Sequence, residues 1–203
     1  MFKEIPASKK SISKRKPVYG VGVNDAKYSV YSQINGNQSM CPFYKKWMLM
    51  LQRCYSENLH NEKPGYKECE VHSEWLIFSN FRSWMICQEW ENKHLDKDII
   101  NPGNKLYSKD NCRFITGKLN TLLNDRAAKR GNYPQGVSLD KRTNKYIAHV
   151  SINGKVKHLG VYDTPDQASD SYVKEKVKLI LKAADEQDDP LIANGLRLHA
   201  KLL

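Results

Sequence analysis

The chain has 203 residues, with 33 Lys and Arg residues against 22 Asp and Glu residues and a formal net charge of +11. This length allows one large domain or two small ones. A balance this basic favours a polyanionic partner, most often nucleic acid. No stretch approaches the ~18 consecutive apolar residues of a membrane span, and no apolar segment of a secretory signal follows the first lysines. We therefore expect an intracellular protein without a membrane partner.

The cysteines favour reduced thiols over a metal site or a disulfide framework. There are five, an odd number, and no Cys-x-x-Cys pair occurs. Cys69 and His72 have the spacing of half a zinc site, but no second pair of ligands follows them. We therefore predict mostly buried free thiols and no structural zinc.

The first part of the chain predicts a basic arm and then a domain rich in aromatic helices. Residues 1–17 are rich in Lys and Arg and poor in apolar residues, which predicts a disordered arm. Pro42 opens a helical pattern whose apolar positions include Trp47 and Leu51, and a second aromatic segment runs from Trp75 to Met85. These helices are predicted to supply the core of a domain spanning residues 18–130.

The last third predicts three antiparallel strands backed by one helix. Residues 135–140, 146–152 and 155–162 have strand patterns, and Asn153–Gly154 predicts the second hairpin turn. The helix begins with a capping pattern of Thr164, Pro165 and Gln167. Residues 131–134 form the predicted linker, and the second domain spans 135–203 with a short helix after Pro190. The predicted fold class is α+β.

A family resemblance lies in this second domain. It is carried by Gly136-Val137, Tyr146, Leu159-Gly160-Val161-Tyr162, Ala168 and Tyr172, which resemble AP2 DNA-binding domains. The resemblance implies that the sheet lies in the DNA major groove with the helix behind it. The implied DNA-binding residues are Lys141, Arg142, Lys145, His149, Ser151, Lys157 and His158. Ser138 and Ser151 stand where plant members have arginines, so the base specificity of those members does not carry over.

Residues 93–124 carry the candidate chemistry. His94-Leu95-Asp96 is followed by a Gly- and Asn-rich loop, by a short apolar strand after Asn111, and by a helix with Asn120. Phosphodiester hydrolysis needs a base that activates water and a cation at the scissile phosphate. A neutral His and an oxygen-ligated Mg²⁺ supply both.

This order of residues resembles the HNH (ββα-metal) nucleases. With the aromatic helices and the second domain, residues 18–182 resemble phage proteins that join such a nuclease to an AP2 domain. The resemblance implies that His94 is the general base, that Asn111 holds the His ring, and that Asn120 is a metal ligand. Lys93 stands where these enzymes place another metal ligand, so Asp96 or Asp98 is expected to substitute.

The expected function is that of a phage-type DNA endonuclease of the homing or nicking kind. It would hydrolyse double-stranded DNA with one divalent cation, Mg²⁺ first, and would act in the bacterial cytoplasm if a phage encodes it. The alternative is a catalytically inactive DNA-binding regulator or inhibitor on the same scaffold, which Lys93 favours. The sequence is compatible with a monomer that nicks one strand and with a homodimer that cuts both.

Overall fold

The fold class of the chain is α+β, as predicted. The computed structural model describes residues 2–34, 36–124, 132–152 and 154–203. The chain divides into two compact units, the first containing the residues up to Asp98 together with Gly103–Ile115, and the second containing Ile99–Pro102 and Thr116–Leu203. No helix in the described ranges is long and apolar enough to cross a membrane.

The first unit combines helices with small two-stranded sheets. Its elements in chain order are β1 (Ile5–Pro6), α1 (Lys9–Ser13), β2 (Tyr28–Ser29), β3 (Tyr31–Ile34), β4 (Asn37–Met40), α2 (Pro42–Tyr55), α3 (Glu57–Glu62), β5 (Glu70–Val71), α4 (Phe78–Ile86), β6 (Lys93–Asp96), β7 (Leu106–Tyr107) and β8 (Arg113–Thr116). The strand pairs are β1 with β2, β3 with β4, β5 with β7, and β6 with β8.

The predicted aromatic stripe of α2 is confirmed as core. Trp47 and Leu51 are fully buried, and the Trp47 indole N–H donates a 2.6 Å hydrogen bond to the Trp75 carbonyl. Phe78 of α4 meets the Tyr44 ring edge-on, with 5.3 Å between ring centroids. Such aromatic pairs add specific geometry to the burial of large apolar surfaces. The first unit is therefore held by the contact of α2 with the segment that contains α4.

The N-terminal segment differs from the predicted disordered arm. It forms β1 and α1, and Arg15 donates hydrogen bonds to the carbonyls of Asn24, Ala26 and Tyr28. Three carbonyl acceptors for one guanidinium attach this segment firmly to residues 24–28. The anchor depends on residues far along the sequence, which is why composition alone does not reveal it.

The thiols fit the predicted pattern of free cysteines. Cys41, Cys54, Cys69 and Cys112 are buried and Cys87 is exposed. Burial raises the pKa of Cys54 and of Cys112 to about 12 in each case, so these thiols stay protonated near neutral pH.

An aromatic disulfide reagent is therefore expected to modify Cys87 rapidly at pH 8 while the chain is folded, and the other thiols only after denaturant is added. The absorbance of the aromatic thiolate that the reagent releases measures the number of cysteines modified. Rapid labelling of a Cys87→Ser variant under native conditions would contradict the buried placement of the remaining thiols.

The second unit contains the predicted three-stranded sheet and its helix. Its elements are α5 (Gly117–Leu123), β9 (Val137–Asp140), β10 (Lys145–Ile152), β11 (Lys155–Tyr162), α6 (Pro165–Asp185) and α7 (Pro190–Lys201). The antiparallel sheet has the order β11-β10-β9. The Thr164 hydroxyl accepts the Gln167 N–H, so the predicted cap of α6 is confirmed. Asn153 in the second hairpin turn lies outside the described residues.

The division of the chain falls earlier than the predicted boundary near residue 130. The helix α5 and the loop residues Ile99–Pro102 both belong to the second unit. Ile99 is fully buried, and its backbone approaches Gly195 of α7 so closely that a Cβ on Gly195 would lie 2.0 Å from the Ile99 carbonyl oxygen. Residues 125–131, which include the start of the predicted linker, lie outside the described residues.

Candidate functional site

The candidate nuclease residues lie on the predicted succession of strand, loop, strand and helix. His94 and Asp96 lie in β6, Asn111 lies in the turn before β8, and Asn120 lies in α5. Side chains two apart on a strand share a face, so His94 and Asp96 lie on one face of β6 and Leu95 on the other. His94 is exposed, Asp96 is half-buried and Leu95 is buried. The imidazole and one carboxylate are therefore side by side on the open face of β6.

Lys93 does not share this face. It lies on the Leu95 side of β6, and its ammonium group forms a 2.8 Å ion pair with Glu89. This pairing lowers the pKa of the Glu89 carboxyl below its usual value, mainly through the hydrogen bond from Lys93. The positive charge of Lys93 is thus matched by a carboxylate and directed away from His94, which weakens the electrostatic objection to a cation beside His94.

The two candidate carboxylates, Asp96 and Asp98, have different surroundings. An Asp98 oxygen lies 3.2 Å from the ammonium group of Lys97, whose side chain is only 8% exposed. A buried ammonium needs such a partner, so Asp98 is committed to balancing Lys97. Asp96 accepts the Asp98 N–H through one oxygen at 3.1 Å and lies on the same face as His94. Asp96 is therefore the carboxylate that lies beside His94.

Two cationic side chains of α2 hold the backbone on both sides of His94. Lys46 donates to the Lys93 carbonyl, and an Arg53 N–H donates to the Leu95 carbonyl at 3.2 Å. Burial, more than repulsion by Arg53 and Lys45, lowers the pKa of Lys46. Burial alone would lower the pKa of Arg53, but Tyr107, Tyr66 and Asp96 raise it overall. Because α2 is fixed in the core, these bonds fix the position of β6 and hence of His94.

Removal of the Arg53 guanidinium is expected to destabilise the first unit. Arg53→Leu should lower the free energy of unfolding by about 2–3 kcal/mol, because the Leu95 carbonyl loses a charged donor in a half-buried place. Urea denaturation followed by tryptophan fluorescence measures the change. The exposed Arg142→Leu is the matched control and should change stability by less than ~0.5 kcal/mol. Equal effects of the two substitutions would contradict a specific role for Arg53.

Asn104 joins neighbouring backbone segments by side-chain hydrogen bonds, a role that the sequence did not predict. Its amide nitrogen donates to the carbonyls of Lys97 at 2.7 Å and Leu106 at 2.8 Å, and its amide oxygen accepts from Asn111 at 3.2 Å. Asn111 also donates to the Leu106 carbonyl at 3.3 Å. The two asparagines thus tie the end of β6 to β7 and to the turn before β8. The only sequence signal for Asn104 was its place in a Pro- and Gly-containing loop.

The donors around β6 fit a cation that keeps part of its water shell. Mg²⁺ is commonly held by one or two carboxylates together with waters and substrate phosphate oxygens, and Asp96 with the His94 face supplies such a partial set. Among the described residues, no cluster of three or more His, Cys, Asp or Glu side chains has the arrangement of a metal centre. Asn120, the other predicted ligand, is a half-buried residue of α5 in the second unit.

The second-unit sheet has two distinct faces, which its register defines. Cross-strand partners share a face, so Ala148 and Val150, both buried, mark the face toward α6. The opposite face, called the outer face here, carries Ser138, Asp140, Lys145, Ile147, His149, Ser151, Val156, His158 and Val161. The register shifts between Ala148 and His149, where Leu159 is the extra residue on β11.

The predicted DNA-binding residues are divided by this register. His149, Ser151 and His158 lie together on the outer face, with Lys145 at its edge in a 2.9 Å ion pair with Asp163. Lys157 is paired with Val150 and lies on the α6 side, where its ammonium group is 2.7 Å from Glu175. Lys157 and His158, both predicted to bind DNA, therefore lie on opposite faces of the sheet.

Lys141 and Arg142 are exposed in the turn between β9 and β10, where side chains can reach phosphates.

Comparison of the chain with the profiles of known protein families, with curated protein sequences and with solved structures found no match.

Proposed function

We propose that the chain is a DNA endonuclease that hydrolyses phosphodiester bonds with a His general base and one divalent cation, as in HNH nucleases. The observation that carries the proposal is the shared open face of His94 and Asp96 on β6, a strand that pairs with β8 directly before α5. An imidazole and a carboxylate side by side are the two groups that such a reaction needs. The pairing of Lys93 with Glu89 supports the proposal, because it directs that cation elsewhere.

The roles of the side chains follow from their places. His94, exposed and without steric cover, takes the proton from an attacking water. Asp96 holds the cation on the same face. When bound, Mg²⁺ would neutralise charge on the scissile phosphate and on the leaving oxygen. Asn111, with Asn104, keeps the loop between β6 and β8 in one conformation.

The DNA-binding part of the proposal rests on charge and on the second unit. The net charge of +11 gives a field that attracts a polyanion. A three-stranded sheet backed by a helix is what the AP2 resemblance of the sequence implies for double-stranded DNA, and the hairpin turn of this sheet exposes Lys141 and Arg142. DNA affinity is therefore expected to fall steeply with salt, and a gel-shift titration from low to high salt measures it. Affinity that does not change with salt would contradict phosphate-directed binding.

Plasmid nicking by the unaltered chain tests the catalytic part. Conversion of supercoiled DNA to the open circle is expected with Mg²⁺ or Mn²⁺ and is expected to stop on addition of EDTA. Intact DNA with either metal, together with salt-sensitive DNA binding, would instead establish the alternative of a non-catalytic DNA-binding regulator or inhibitor. Linear product at the first cleavage event would show a dimer that cuts both strands.

A further inference from the structure

Most lysines on the strands of the second-unit sheet lie on the side of α6, and not on the outer face that the AP2 resemblance places in the DNA groove. Among the described residues of its three strands, Lys145 is the one Lys or Arg on the outer face, and Asp163 neutralises it at 2.9 Å. Asp140 lies on the same face. The remaining outer positions are Ser, His, Val and Ile residues. This face therefore has little capacity to neutralise phosphates.

The lysines of β11 and α6 instead surround a cleft on the other side. This cleft, called the lysine cleft here, has a volume of about 350 Å³ and is lined by Lys157, His158, Leu159, Ser171, Lys174, Glu175 and Lys178. Lys174 and Lys178 lie one helical turn apart on α6, so their side chains project in the same direction. The ammonium group of Lys178 lies 4.0 Å from Glu175, and the Lys178 side chain is 76% exposed.

Glu175 is the single carboxylate among the residues that line the lysine cleft. It lies 2.7 Å from Lys157, and the hydrogen bond from Lys157 is the main cause that lowers its pKa. One carboxylate against three lysines leaves an excess of two positive charges at one cleft. The cleft also opens at β11, which is an edge strand of the sheet.

We propose that the lysine cleft binds the phosphodiester backbone of DNA, so that the second unit contacts DNA through the edge formed by β11 and α6. The inference rests on the proposed function, since it assumes that the chain binds DNA. His158 lines the cleft and also belongs to the outer face, so a DNA strand held at the cleft passes along that face at β11.

The chemistry of the cleft favours phosphate over an acidic protein surface. Protein interfaces are usually anchored by buried aromatic or aliphatic side chains, and the cleft offers one apolar residue, the half-buried Leu159. Flexible, exposed ammonium groups suit phosphates, which they contact as point charges without a fixed geometry.

The test uses the full chain with Lys174→Gln and Lys178→Gln combined. Each lost phosphate contact should lower the affinity for a DNA duplex about eightfold at 0.1 M salt and reduce the slope of log K against log salt by about 0.9. The matched control is Arg197→Gln with Lys201→Gln, which removes two charges from α7 of the same unit. Glu175→Gln should act in the opposite direction and tighten binding. Circular dichroism on each variant checks that the fold is retained.

The outcomes separate the inference from the proposed function. Equal losses of DNA affinity and of salt slope in the two double variants would mean that only the net charge of the chain matters. That result would overturn the inference about the lysine cleft, while the proposed DNA binding would stand. No binding of a duplex by the unaltered chain would overturn both. If the cleft variant loses affinity for poly-L-glutamate but not for DNA, the cleft belongs to an acidic protein and the inference is overturned.

Discussion

His94→Ala is expected to lower the rate of Mg²⁺-dependent nicking by about 10²–10⁴-fold, because a positioned general base contributes that much to a proton transfer. His94 is an exposed residue of β6, so its loss leaves the buried neighbour Leu95 and the bonds from α2 in place. Affinity for DNA should change by less than about twofold, since a single side chain on β6 carries little of the phosphate binding. Single-turnover nicking at saturating enzyme separates the chemical step from binding.

His72→Ala is the matched control for this loss. His72 is also exposed and in the first unit, and it caps the short 3₁₀ turn Ser73–Leu76 through its ring nitrogen. Its replacement should leave the nicking rate within about threefold, because a weak cap affects stability more than chemistry. Full nicking activity of His94→Ala, or an equal loss of nicking rate in both variants, would show that His94 is not the general base.

Gly136→Ala is expected to destabilise the second unit more than any exposed substitution. Gly136 has φ +76°, and a Cβ there would lie 2.1 Å from a ring carbon of Tyr172, which is buried on α6. The Gly136 carbonyl also accepts the His149 N–H at 2.8 Å, so the backbone cannot move freely away. Left-handed strain and overpacking together should lower the free energy of unfolding by about 2–4 kcal/mol. The midpoint of thermal unfolding, followed by circular dichroism, measures the loss.

Gly154→Ala separates strain from overpacking. Gly154 has nearly the same backbone angle, φ +79°, but nothing lies within 4 Å of a Cβ placed there. Its replacement should therefore cost about 1 kcal/mol, the conformational part alone. A loss at Gly154 as large as that at Gly136 would mean that the contact of Tyr172 with Gly136 does not hold the sheet against α6.

The sequence predicted the elements whose signal is local and repeated. The apolar spacing around Trp47 predicted α2, and the cap at Thr164 predicted the start of α6. Strands of two residues, such as β1 and β7, have no periodicity to detect. The N-terminal segment was misjudged because its order depends on Arg15, whose acceptors include Tyr28 thirteen residues away.

The sequence predicted which residues form the candidate site, but it did not predict the side chains and backbone groups that contact them. His94 and Asp96 have the spacing that puts them on one face of a strand, and the structure has that strand. The partner of Lys93 is Glu89, in a connection that carries no pattern, and Asn104 acts through bonds to two separate backbone segments and to Asn111. The extra residue Leu159 in β11 is equally hidden from the sequence, and it changes which side chains on either side of it share a face.

If the open face of β6 receives the cation beside His94, paramagnetic relaxation by Mn²⁺ detects it there without any need for cleavage. In a nitrogen-15 labelled chain titrated with Mn²⁺, the signals of His94 and Asp96 are expected to broaden first. Asp96→Asn is expected to remove this selective broadening, whereas Asp98→Asn should leave it, because Asp98 is engaged by Lys97. Broadening centred elsewhere, or unchanged in Asp96→Asn, would contradict the placement of the cation on this face.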